Sequence, residues 1–91
     1  MNLMTNYVGI LDGSGKTYVV RIPDLPGCYG GGATPEAAIA DALSAAREWI
    51  AHRRSKEQAA PNPRSRAQVL KAETIDAARN EAAVLVTVAG L

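Results

Sequence analysis

The segment PDLPGC at residues 23–28 restricts the path of the chain more than any other part of the sequence. Pro23 has no N–H to donate to a β-sheet ladder, so a strand must end before it. Pro26 and Gly27 fit the two central positions of a type II turn, because the second position needs a positive φ. Leu25 lies between the two prolines, and we expect its side chain to point inward and fill the core.

Two β runs precede this segment, and a third follows it. Residues 7–11 and 17–22 are rich in Tyr, Val, Ile and Thr, and residues 12–16 between them contain two glycines. This pattern predicts a β-hairpin. Residues 29–33 form a short third strand or an extended strip. Its glycines, Gly30, Gly31 and Gly32, have no side chains, so another backbone or a helix can approach closely.

A long helix is predicted from Pro35 to about Glu57. Thr34 is a good N-cap, Pro35 suits the first helical position, and Glu36 lies at the positive end of the helix dipole. Apolar residues recur at helical spacing, so the helix should cover one face of a sheet. They are Ala38, Ile39, Ala42, Leu43, Ala46, Trp49 and Ile50.

The last third of the chain predicts a short helix and a final strand. Pro61 and Pro63 break the long helix. Ser65 and Gln68 form a capping box that opens a second helix. The sequence does not predict where this second helix ends, because residues 71–80 also have helical propensity. Residues 82–89 are apolar on both faces, which predicts a strand inside the sheet. The predicted fold class is therefore α+β, in the order β-β-β-α-β, with the short helix before the last strand.

Composition limits the class of protein. The chain has 91 residues, of which 47% are hydrophobic and 21% are charged, with a net charge of +1, as in one small soluble domain. The single Cys28 excludes an internal disulfide, and with one histidine it cannot supply a structural zinc site. No signal peptide or membrane span is predicted, so we expect a cytoplasmic protein. Aromatics are only 4%, and a core of Ala and Val predicts marginal stability or a stabilising partner.

Three catalytic interpretations are disfavoured. Residues 13–17 resemble a phosphate-binding loop, but Ile10 stands where its first glycine is needed, and a strand follows. No carboxylate lies within a predicted strand, which argues against a metal-dependent hydrolase. Cys28 with His52 as base is less favoured than ordinary packing of the cysteine. We therefore predict no catalytic residue, no metal site and no cofactor.

A basic stretch in the second half of the chain suggests a further possible function, the binding of an acidic molecule. Its residues are Arg47, Arg53, Arg54, Lys56, Arg64 and Arg66. Such a stretch can bind nucleic acid or an acidic partner. No aromatic residue interleaves with the basic run, which favours a solvated helix end instead.

Taken together, the hairpin, the PDLPGC segment, the glycine strip, the Thr-capped helix, the Pro-x-Pro linker and the final strand resemble the HicB family. These proteins are antitoxins of HicA–HicB toxin–antitoxin systems. The resemblance extends over about residues 7–88, and PDLPGC is its most specific part. It implies a truncated ribonuclease-H-like sheet without catalytic carboxylates. It also implies binding to HicA, a small mRNA-cleaving toxin of double-stranded-RNA-binding-domain fold, and assembly into homodimers or higher oligomers.

On this resemblance we predict a non-enzymatic antitoxin that covers its toxin sterically. The residues expected to form the family motif and structural loop are Pro23, Asp24, Leu25, Pro26, Gly27, Cys28, Gly30, Gly31 and Gly32. Asp24 and Glu36 are the expected charge partners of a basic toxin. Ala33 and Ala37 stand where family members often carry acids, so fewer acidic contacts are expected.

Two other functions remain open at this point. Many family members continue into a DNA-binding domain, whereas we expect one HicB-like domain over residues 1–91 that does not bind operator DNA by itself. An orphan, oligomeric interaction module without a toxin is the main alternative. A nucleic-acid-binding protein that uses the basic stretch is less favoured. A neighbouring gene for a small basic protein would support the antitoxin.

Overall fold

The computed structural model describes residues 4–73 and 81–89, which form a four-stranded antiparallel sheet with a helix on each face. The elements are β1 (Met4–Ser14), β2 (Thr17–Arg21), β3 (Tyr29–Gly32), α1 (Pro35–Ser55), α2 (Arg66–Glu73) and β4 (Ala82–Ala89). The strand order across the sheet is β3-β2-β1-β4. This confirms the predicted α+β class and element order. The likeness to a truncated ribonuclease H fold stays a prediction.

The first two strands form the predicted hairpin. Ser14 pairs with Thr17, so the connecting loop is only Gly15 and Lys16, and no helix follows it as a phosphate-binding loop requires. β1 is longer than the predicted residues 7–11, because β2 pairs with residues 12–14, which were predicted as turn, and β4 pairs with β1 from Met4 to Leu11. That partner is distant in sequence, so the local pattern did not reveal the full strand.

The main core lies between the sheet and α1. Sheet and loop residues Tyr7, Val20, Ile22, Leu25, Cys28, Val86 and Val88 pack against Ala38, Ala42, Ala46 and Ile50 of α1. The predicted apolar stripe of the helix is confirmed. Thr34 also caps α1 as predicted, since its Oγ1 accepts a hydrogen bond from the Ala37 N–H at 3.1 Å.

The glycine strip allows α1 to lie directly on β3. A Cβ atom added to Gly30 would lie 2.2 Å from the backbone nitrogen of Ala42, and one added to Gly32 would lie 2.7 Å from the Cβ of Ala37. Both distances are too short for real contacts. Small residues on the helix and glycines on the strand therefore bring the two backbones together, as the sequence predicted.

The second helix covers the opposite face of the sheet. Val69 of α2 is fully buried against Val8 and Ile10 of β1. The predicted capping box is present: Gln68 Oε1 accepts from the Ser65 N–H at 2.8 Å, and Ser65 Oγ accepts from the Gln68 N–H at 3.1 Å. Of the residues 71–80 with helical propensity, 71–73 belong to α2, and the others lie outside the described residues.

The predicted position of the last strand is wrong. Among the described residues, β4 pairs with β1 alone, and it lies at an edge of the sheet, not inside it. Val86 and Val88 face α1, whereas Ala83 packs against the cluster around Val69. Helices on the two faces therefore account for its two apolar sides, and no second neighbouring strand is needed.

The long helix ends at Ser55, slightly before the predicted residue. Glu57 has a φ of 58°. The Glu57 N–H donates to the Arg54 carbonyl at 2.9 Å, and the Gln58 N–H donates to the Arg53 carbonyl at 3.0 Å. This is the Schellman arrangement, which closes a helix through one residue in the left-handed region. Within the described ranges, no helix is long and apolar enough to cross a membrane.

We predict that Gly30→Ala destabilises the protein far more than Gly31→Ala. At Gly30 the added methyl group meets the backbone of α1, and such overpacking costs at least about 2 kcal/mol. At Gly31 the nearest atom is the Tyr18 carbonyl oxygen at 3.4 Å, an ordinary contact, so the change should stay within about 0.5 kcal/mol. Urea unfolding of both variants checks this. Equal losses would show that α1 does not pack on Gly30 in this way.

Candidate functional site

The PDLPGC segment forms a closed loop between β2 and β3. The Ile22 N–H donates to the Cys28 carbonyl at 3.0 Å, and two tighter turns lie within that ring. In the second turn, the Cys28 N–H donates to the Leu25 carbonyl at 2.9 Å, and Gly27 has a φ of 82°, as the sequence predicted for a type II turn. Leu25 is fully buried, which confirms that it fills the core.

Asp24 ties this loop to the connection between the helices. Its Oδ2 accepts from the backbone N–H of Arg64 at 2.7 Å, and its Oδ1 accepts from Arg64 Nε at 2.5 Å. Only 7% of the Asp24 side chain is exposed. In the sequence Arg64 belongs to the basic stretch, and its pairing with Asp24 is not predictable from local pattern because the two residues are 40 positions apart. The contact of Asp24 with a partner protein stays a prediction.

Tyr7 also fixes the segment that connects α1 to α2. Its hydroxyl donates to the Pro61 carbonyl at 2.7 Å, and the side chain is fully buried. Burial raises the pKa of the Tyr7 hydroxyl, and the negative charge of Asp24 raises it further. The neutral hydroxyl is therefore the form that the fold requires, since a phenolate has no proton to donate.

A cleft of about 480 Å³ opens between this loop and the C-terminal half of α1. We call it the β3–α1 cleft. It is lined by Gly27, Cys28, Tyr29, Ala45, Glu48, Trp49, His52, Arg53, Lys56 and Gln58. The Trp49 indole N–H donates to the Pro26 carbonyl at 3.0 Å, so α1 is fixed to the motif loop at this point. The Arg53 guanidinium lies 5.0 Å above the centre of the Trp49 ring.

The cleft combines aromatic and basic side chains. Tyr29 is 65% exposed at the start of β3. Helical spacing places Arg53 over Trp49, and Lys56 follows on the same face. The prediction that no aromatic residue interleaves with the basic run is therefore wrong: Trp49 lies between Arg47 and Arg53 in the sequence itself, and Tyr29 joins them from a strand that is distant in sequence.

The structure also divides the basic stretch between different environments. Arg53 and Lys56 line the β3–α1 cleft, together with His52 and a single acid, Glu48. Arg64 is paired with Asp24. Arg54 lines a separate pocket beside Pro61, so the basic stretch contributes to at least three different environments.

Cys28 and His52, the disfavoured catalytic pair, both line the cleft. Cys28 is only 5% exposed, and burial raises the pKa of its thiol. A raised pKa lowers the fraction of nucleophilic thiolate at neutral pH. This geometry favours packing over nucleophilic catalysis. In the part of the chain that the structure describes, no three His, Cys, Asp or Glu side chains are grouped to hold a metal ion.

Glu36, the second predicted charge partner, lies in the first turn of α1 and is exposed. An α-helix rises 1.5 Å per residue, so Glu36 is about 25 Å along the axis from Arg53. The structure does not bring it to the cleft. Asp24 and Glu36 are thus parts of different surfaces, although Asp24 belongs to the loop that forms one wall of the cleft.

Comparison with known proteins points to one family. A family model described as "HicB_like antitoxin of bacterial toxin-antitoxin system" matches residues 7–89. The fold is similar to a chain of a solved structure titled "HicA3 and HicB3 toxin-antitoxin complex", with a TM-score of 0.70 and 15% sequence identity. That match covers 89% of this chain and 94% of the other. Among curated protein sequences, none matches this chain.

We predict that Tyr7→Phe lowers the free energy of unfolding by about 1 kcal/mol at pH 7, because the Pro61 carbonyl loses its donor. The raised pKa of Tyr7 means that the unfolded state releases the proton first. The stability that the neutral Tyr7 hydroxyl contributes is fully present below the ordinary tyrosine pKa of about 10. It is lost as the pH rises through the pKa of Tyr7 in the folded state. The difference between wild type and Tyr7→Phe should therefore shrink above about pH 10.

Urea unfolding of both proteins in a pH series from neutral to strongly alkaline checks this prediction. The variant serves as the reference, since every other titrating group is shared. A difference that stays constant across the series would contradict it.

Proposed function

The chain belongs to the HicB-like antitoxin family of bacterial toxin–antitoxin systems, and from this we propose that it binds and sterically neutralises a HicA-like, mRNA-cleaving toxin. The β3–α1 cleft is the proposed contact surface. The observation that carries this proposal is the grouping of Tyr29, Trp49 and Arg53 around one cleft. These three residue types are the ones most enriched at the energetic centres of protein interfaces.

The cleft is suited to a protein partner because its walls are fixed before binding. Trp49 is held by the Pro26 carbonyl, and Arg53 stacks on the indole while its Nε donates to the Ala59 carbonyl at 3.3 Å. Ordered side chains lose little conformational entropy on association, which raises affinity. Tyr29 projects beside them and supplies a large surface that water now covers.

Neutralisation in this proposal needs no chemistry from the antitoxin. A toxin that cleaves mRNA needs free access to its catalytic residue and to its basic RNA-binding face, and a rigid domain seated there blocks both. Glu36 remains a proposed charge partner of that basic face, whereas the carboxylate of Asp24, the other predicted one, is already paired with Arg64. Glu36 is exposed and accessible, whereas Asp24 acts through the loop that Arg64 holds in place. We assign no catalytic role to Cys28, and the complex forms in the cytoplasm, where mRNA is the target.

We predict that Tyr29→Ala weakens toxin binding at least tenfold, because a central aromatic contact is typically worth about 2 kcal/mol or more. The matched control is Met4→Ala, which removes a similarly exposed apolar side chain far from the cleft. Co-expression with a neighbouring gene product that stops growth by itself gives the first readout, as rescue of growth and co-purification. Calorimetry then gives the affinities. Glu36→Gln tests the second proposed contact separately.

If the wild-type protein neither rescues growth nor co-purifies with the neighbouring protein, the antitoxin proposal is wrong and an orphan interaction module remains. Equal loss of binding in Tyr29→Ala and Met4→Ala would instead move the contact surface away from the cleft.

Binding of single-stranded RNA at the same cleft is a second candidate. The juxtaposition of Trp49 and Tyr29 with Arg53 and Lys56 favours it, since bases stack on aromatic rings while cations hold the phosphates. RNA binding through these cations should fall steeply with salt and decrease further in Lys56→Ala. An electrophoretic shift assay at low salt checks this, and the lack of any shift there would exclude it.

A further inference from the structure

Arg53 presents a preorganised group for a carboxylate in the β3–α1 cleft. Its guanidinium lies 5.0 Å above the centre of the Trp49 ring, and its Nε donates to the Ala59 carbonyl at 3.3 Å. These two contacts fix the plane of the guanidinium. Its terminal nitrogens, Nη1 and Nη2, have no hydrogen-bond acceptor within residues 4–73 and 81–89. Two such N–H groups match the two oxygens of one carboxylate.

The groups around Arg53 also favour a negatively charged occupant. Lys56 lines the same cleft, its side chain is exposed, and its ammonium forms no ion pair with the described part of the chain. Tyr29 adds a hydroxyl that can donate a hydrogen bond, and the lining contains a single carboxylate, Glu48. A cleft with this surplus of positive charge attracts an acidic group and repels a basic one.

A carboxylate fits this cleft better than a stretch of nucleotides does. A base stacks on the uncovered face of an aromatic ring. The Arg53 guanidinium covers one face of Trp49, and the ring also packs against the main core, so Tyr29 is the more accessible aromatic side chain of the cleft. The volume of about 480 Å³ is that of a pocket for a small group, whereas single strands are bound along extended grooves.

We propose that the β3–α1 cleft holds an acidic segment of the bound toxin, with an Asp or Glu carboxylate on the Arg53 guanidinium and Lys56 beside it. This assignment rests on the proposed function and specifies which part of the toxin reaches the cleft. The basic RNA-binding face of the toxin lies elsewhere on the antitoxin, because in the cleft it would meet Arg53 and Lys56 with like charge.

The charges of α1 then fix the direction of the toxin along the helix. Glu36 is exposed in the first turn, whereas His52, Arg53 and Arg54 lie in the last turn. The distance along the axis from Glu36 to Arg53 is about 25 Å. A toxin whose acidic segment occupies the cleft turns its basic face toward Glu36. The reversed orientation brings like charges together at both ends, so it is disfavoured.

Lys56→Glu and Arg54→Glu together test the charge of the segment in the cleft. Both reverse one exposed charge near the end of α1 and change the net charge equally, but Arg54 lines a different pocket, beside Pro61. In calorimetry with the neighbouring gene product that stops growth, Lys56→Glu should bind at least about fivefold more weakly than Arg54→Glu, since an attraction becomes a repulsion. Arg53→Lys keeps its charge but loses the paired N–H groups, so it should also bind more weakly than wild type. Equal affinities of the two Glu variants, or tighter binding by Lys56→Glu, overturn the proposal.

Trp49 is the only tryptophan of the chain, so its fluorescence reports on the cleft without a toxin. At low salt, a capped oligoglutamate peptide should change this fluorescence saturably, and an oligolysine peptide should not. Lys56→Glu should lose the response and Arg54→Glu should keep it. If this pattern appears but the wild type does not bind the neighbouring gene product, the proposed function is wrong and the preference of the cleft for carboxylates stands. The preference is overturned if oligoglutamate gives no response, if oligolysine gives the same one, or if an oligouridine binds more tightly, which would make nucleic acid the occupant.

Discussion

The contact between the α1 backbone and the glycines of β3 is the constraint on which the rest of the structure depends. Gly30 and Gly32 leave no room for a Cβ atom, so the helix lies closer to this strand than side chains would permit. That position brings Asp41 to the β3 edge and Trp49 to the Pro26 carbonyl. The β3–α1 cleft thus follows from a packing contact made only by small residues.

Because alanine buries little apolar area, polar contacts between distant segments matter more here than in a larger domain. The connection after α1 contributes few apolar side chains of its own. It is positioned by the Tyr7 hydroxyl and by the Asp24 carboxylate, which is nearly inaccessible to water. Arg21 pairs with Glu81 at 3.1 Å, but the Arg21 side chain is exposed to solvent. This ion pair therefore stabilises the fold less than the bonds of Tyr7 and Asp24 do.

The proposed partner surface lies at the β3 edge of the sheet. On the β3 side, the family motif, α1 and the exposed Tyr29 form a rigid concave surface suited to a folded protein. The chain belongs to the HicB-like antitoxin family and has a HicB-like fold, and this is the surface on which the toxin contact is proposed. The proposed contact at this surface needs no catalytic group, and the thiol of Cys28 beside it is buried.

The sequence by itself determined the features that depend on near neighbours. These are the turn at Pro26 and Gly27, the caps at Thr34 and Ser65, and the apolar stripe of α1, because dihedral preferences and side-chain spacing act within a few residues. Only the tertiary structure decided that β4 lies at an edge, that Arg64 pairs with Asp24, and that Tyr29 lies beside the basic side chains of α1. An apolar pattern shows that a strand is covered on both faces but not which strands flank it. Likewise, the partner of a charge depends on how distant segments pack.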